Sequence, residues 1–91
     1  MMINRHYLAV FESRNHAILV YSLLEEGGQG QFQLIFTPCS LQAGCGYSIR
    51  YYNKSLTDTI IEKVKEENLP IPKFYYGENI QGNIRYRALG I

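Results

Sequence analysis

The chain has 91 residues, 46% of them hydrophobic and 19% charged, with nine Lys and Arg against eight Asp and Glu for a formal net charge of +1. That apolar share belongs to a folded domain rather than a disordered segment, and the length leaves room for one hydrophobic core. A charge so close to neutral excludes binding driven by counterion release from nucleic acid, so the tyrosines read as half-buried strand residues rather than a base-stacking surface.

The opening MMINRHYLAV holds no long apolar stretch of the kind that directs secretion, and the longest aliphatic run, AILV at 17–20, is far too short to cross a membrane. The expectation is a cytoplasmic protein with no membrane partner. Thiols stay reduced in that compartment, so Cys39 and Cys45 read as reactive or metal-binding cysteines rather than as a structural disulfide. Two cysteines alone cannot complete a tetrahedral zinc site, and His6 and His16 do not stand at zinc-finger spacing, so a metal stays open only as a weak reading and no ligand set is assigned.

YLAVF, residues 7–11, is a continuous apolar run and predicts a strand buried near the centre of a sheet. Ser13 then stands where a helix N-cap would. Ala17, Val20, Tyr21 and Leu24 follow the i, i+3, i+4, i+7 rule, Leu23 widens the stripe, and the glycine pair at 27–28 ends the helix. FQLIFT, residues 32–37, predicts a second strand, followed by Pro38 and a loop that runs through Gly44 and Gly46. Tyr47, Ile49 and Tyr51 alternate with Ser48, Arg50 and Tyr52, the period of a strand with two different faces. SLTD at 55–58 resembles a capping box with Asp in place of Glu, and Leu56, Ile60 and Val64, with Ile61 beside them, form the stripe of a second helix ending near Asn68. KFYY at 73–76 predicts a fourth strand.

The order strand, helix, strand, strand, helix, strand is that of an α+β, ferredoxin-like βαββαβ fold: a four-stranded antiparallel sheet with two helices on one face. Residues 1–77 would form this single domain. Residues 78–91 are left as a C-terminal tail, open to three readings: an extra edge strand, a partner-binding arm or a mobile end.

In such a fold the first two strands run parallel with the third antiparallel between them. The end of strand one, the start of helix one and the loop from strand two to strand three then share one edge of the sheet, so Cys45 and the Ser13–His16 turn should be neighbours. A helix N-terminus offers unpaired amide donors and partial positive charge, both of which stabilise a thiolate. Gly44 and Gly46 have two readings: positive φ with amides exposed around the Cys45 sulfur, or a tight turn holding Cys45 as a small buried hydrophobe. His16 is either a cation and proton shuttle for the thiol or a surface residue. Cys39 is either a resolving thiol or an incidental loop residue, and Arg50 reads as an exposed cation on the face opposite Cys45.

Taken together, YLAVFESRNHAI, LIFTPCSLQAGCGYSIRY and their spacing resemble the selenium/sulfur carrier protein-like family of small bacterial proteins, over roughly residues 7–76. The most specific part is the Thr-Pro turn followed by a Cys-Gly pair at the head of an alternating strand ending in Arg. The resemblance implies that Cys45, followed by Gly46, is the carrier atom. It also implies donor and acceptor proteins as partners, with no cofactor beyond the sulfur or selenium held covalently. A basic residue commonly follows the Thr-Pro pair in that family, and here the position is Cys39. The implied function is a carrier that holds a persulfide or perselenide on Cys45, more a carrier or binding protein than a turnover enzyme. The alternatives are a protein-interaction module with a structural Cys45, and a redox protein using Cys39 and Cys45. Homo-oligomerisation is left open.

Overall fold

The computed structural model describes residues 4–27, 30–41 and 46–90. Its elements in chain order are β1 (Asn4–Val10), α1 (Arg14–Glu26), β2 (Gln33–Phe36), β3 (Tyr47–Tyr51), α2 (Leu56–Glu66), β4 (Lys73–Ile80) and β5 (Asn83–Ala88). The strands form one sheet in the order β2-β3-β1-β4-β5, and every neighbouring pair is antiparallel. The first four have the ferredoxin-like order, with both helices on one face.

The sheet has five strands rather than the four expected. Residues 78–80 continue β4, and Asn83–Ala88 return along it as a hairpin. Gln81 (φ 52°) and Gly82 (φ 85°) make the turn, both in the left-handed region that a two-residue hairpin loop with primed geometry requires. Glycine takes that conformation without cost, whereas glutamine is an uncommon choice for it, which is why the turn is faint in the sequence.

The buried run of β1 sits where its composition requires. Its strand pairs on both sides, and Leu8, Ala9 and Val10, with Phe11 just beyond, are all buried. The core lies between the sheet and the helices. Ala9, Ile49, Tyr51 and Phe74 meet Ala17, Val20 and Leu24 of α1 and Ile60 and Val64 of α2. Each fully buried aliphatic side chain stabilises the fold by about 1.5–3 kcal/mol relative to exposure.

The helix ends differ from the expected chemistry. Ser13 and Ser55 occupy the N-cap positions, yet neither side chain caps its helix. Ser55 instead donates through both its amide (3.0 Å) and its hydroxyl (2.8 Å) to Asn53 Oδ1, so the capping box read from SLTD does not form. An Asx turn competes successfully with the cap. At the other end of α2, Asn68 takes φ 56° and donates to Lys65 O, while Leu69 N donates to Val64 O. This is a Schellman closure, and it ends the helix two residues before the position expected from the pattern.

Candidate functional site

Three elements converge at one edge of the sheet. The register pairs Val10, the last residue of β1, with Ser48 near the start of β3 and with Lys73 at the start of β4, while Phe36 at the end of β2 pairs with Tyr47. The first turn of α1 begins four residues after β1 ends. Its Arg14 places the guanidinium carbon 5.5 Å from the centre of the Tyr47 ring, joining the helix start to the start of β3.

The connection from β2 to β3 is pinched at its neck. Thr37 N donates to Gly46 O at 2.8 Å, and beneath it the buried hydroxyls of Thr37 and Ser48 lie 2.6 Å apart. A turn follows, in which Leu41 N donates to Pro38 O. Leu41 helps to line a pocket of about 170 Å³ with Val10, Ile71, Pro72 and Tyr75. That volume is below what a drug-sized ligand fills. Exposed Phe36 packs against Tyr47 at 5.2 Å between ring centres, so the edge carries an aromatic pair with a cation over it.

The sequence-derived site residues fall as follows. Gly46 forms one side of the neck, and Cys39 is exposed in the turn after Pro38. Ser13 is half-buried at the start of α1, its carbonyl accepting from Ala17 N at 3.2 Å. His16 is half-buried in the first helical turn. Gly44 and Cys45 lie outside the described residues. Arg50 is half-buried on the helix-free face, where its Nε donates to Gln33 Oε1 at 2.8 Å, so it is held by a partner rather than standing as a solvated cation.

Arg14 is the residue that sequence reasoning passed over. The only available signal was its place in a helical first turn with no acidic residue, where a cation opposes the helix dipole. A second cluster was also missed, on the helix-free face: His6 Nε2 lies 3.1 Å from the Tyr86 hydroxyl, above Gly77. A glycine inside the strand pattern YYGEN was its trace in the sequence.

Among the described residues, no three His, Cys, Asp or Glu side chains gather as a metal site would require. Nor is any helix among them long and apolar enough to cross a membrane. The chain matches the family described as "Putative Se/S carrier protein-like" over residues 6–76, a span that runs from within β1 to the first half of β4 and includes the Cys45–Gly46 pair. No curated protein and no solved structure matches it. With that match covering most of its length, the chain belongs to the Se/S carrier protein-like family, whose type is a carrier rather than a turnover enzyme.

Proposed function

We propose that the protein carries a sulfur or selenium atom on Cys45 between a donor and an acceptor protein in the cytoplasm. The observation that carries the reading is the family match across the Cys45–Gly46 pair. Support comes from its chain neighbours: Gly46 and Tyr47 stand at the edge where α1 begins, with Arg14 over Tyr47 and His16 in the same helical turn. Cationic and amide groups of this kind favour a thiolate. The small pocket at that edge suits a carrier, which needs an accessible nucleophile and no enclosed substrate cavity.

In the transfer, the Cys45 thiolate attacks the outer sulfur of a donor persulfide. A new S–S bond forms on Cys45, the donor's S–S bond breaks, and its electron pair leaves on the donor thiolate. Attack by an acceptor thiolate on the same outer sulfur regenerates Cys45. No net oxidant is consumed. Selenium follows the same course through a perselenide.

Intact mass after incubation with a low-molecular-weight persulfide tests this. The parent and Cys39→Ser should each gain one sulfur atom, and Cys45→Ser should gain none. Loading that survives in Cys45→Ser, or vanishes in Cys39→Ser, would assign the chemistry elsewhere. A second reading, a protein-interaction module without chemistry, is favoured by the exposure of Phe36 (73%) on the outermost strand β2. A parent protein that never loads would leave that reading in place.

A further inference from the structure

His6 and Tyr86 touch across an intervening strand. In the register, Gly77 of β4 pairs with His6 of β1 on one side and Tyr86 of β5 on the other. A Cβ built on Gly77 would stand 2.7 Å from Tyr86 Cε1, 2.8 Å from His6 Nε2 and 2.9 Å from His6 Cε1. The two rings therefore meet because position 77 has no side chain. They pack edge to face, 5.5 Å between centres at 76°, with the Nε2 to hydroxyl contact at 3.1 Å. This is a side-chain tie from β5 to the centre of the sheet that bypasses β4.

The surroundings of His6 are of one sign. Strand alternation puts Arg50 of β3 with Tyr52 just beyond it, Lys73 and Tyr75 of β4 and Tyr86 of β5 on its face as the titratable or charged groups, while Arg5, Tyr7, Tyr76, Glu78, Arg85 and Arg87 belong to the helix side. Neither helix packs on the His6 face. Arg50 is bound to the neutral Gln33 amide. His6 itself is 7% exposed, and burial first, then Arg50, holds its imidazole below the ordinary value. An imidazolium could still donate to the Tyr86 hydroxyl, so protonation costs a buried charge rather than a hydrogen bond.

We propose that the His6–Tyr86 contact is an acid-released latch for β5. A proton on His6 puts a second cation beside Arg50 while the ring itself is 7% exposed, and the ring regains solvent by leaving Tyr86, which uncouples β5 from β1 and loosens its pairing with β4. The consequence is a strand whose attachment follows pH while the two-helix core stays folded.

Amide hydrogen exchange of the full chain, corrected for intrinsic rates, reads the latch directly. Between about pH 8 and about pH 5, protection of the β5 amides should fall several-fold, up to a ceiling of about thirtyfold set by an unlatched imidazole of ordinary pKa. Amides of β1 and β3 should change less. His6→Gln should show no such fall, and Arg50→Gln, which removes the neighbouring cation, should show a smaller one. The proposal is overturned if β5 protection in the parent does not respond to pH, or if β1 and β3 lose protection equally. Should His6→Gln fail to fold, Arg50→Gln decides alone, and a fall equal to the parent's would sink the latch.

Discussion

At the scale of single residues, the buried polar contacts are pairs whose halves depend on each other. Tyr51 is fully buried, its hydroxyl 2.6 Å from Thr57 Oγ1, and burial pushes its phenol up to about 12. The tyrosine therefore stays neutral and bonded throughout the ordinary pH range. Thr57→Val should leave the Tyr51 hydroxyl unsatisfied and lower stability by about 1–3 kcal/mol in urea denaturation, whereas adding Tyr51→Phe should recover part of the loss. A double variant less stable than the single one would show that packing, not the hydrogen bond, dominates there. The apolar role of Tyr51 was legible from its alternation with Ser48 and Arg50. Its partner was not, because Thr57 lies in the next helix and its hydroxyl reads equally well as capping chemistry. Arg14 was illegible for a similar reason: nothing local marks which side chain of a first turn will meet a strand 33 residues later.

Among the secondary elements, the apolar stripes located both helices, and their ends depended on competition the pattern does not contain. Asn68 closes α2 in a left-handed conformation at φ 56°. Asn68→Gly should hold or slightly raise the melting temperature, while Asn68→Val should lower stability by about 1–2 kcal/mol, since a β-branched residue resists that backbone region. Equal melting of the two variants would show that the closure contributes little. For strands, the sequence marks apolar cores better than lengths. Asn4–His6 extend β1 by pairing with Gly77–Asn79, and β4 runs on to Ile80, through polar residues whose strand character comes from partners distant in the chain. At Gly77 the strand is held open for two rings. Gly77→Ala should displace β5 and destabilise the protein by about 1–3 kcal/mol, and near-parental melting would mean that His6 and Tyr86 move aside easily.

For the whole molecule, pH acts on stability through His6. Its folded-state pKa is lowered from the ordinary value of 6.5, so the folded chain binds fewer protons than the unfolded one through that window. The associated stability is complete above about pH 6.5 and is lost as pH falls through that value toward the folded pKa. Urea midpoints measured across this range should decline on acidification in the parent and decline less in His6→Gln; parallel declines would place the sensitivity in other groups. The two edges of the sheet differ in kind as well. β5 presents Arg85 and Arg87, which discourage further strand pairing, while β2 consists of the uncharged Gln33–Phe36. Between β2 and β3, the amide of Thr37 and the carbonyl of Gly46 bind the strands together before the loop leaves the sheet. The connection thus leaves and re-enters the sheet through a fixed doorway, and a loop of another length spliced there should keep the strand register, since doubling a loop costs only about 0.6 kcal/mol in closure entropy. Seen that way, the sheet and its helices form a chassis, and the stretch holding both cysteines is a cartridge whose sequence can change while the frame that carries it stays the same.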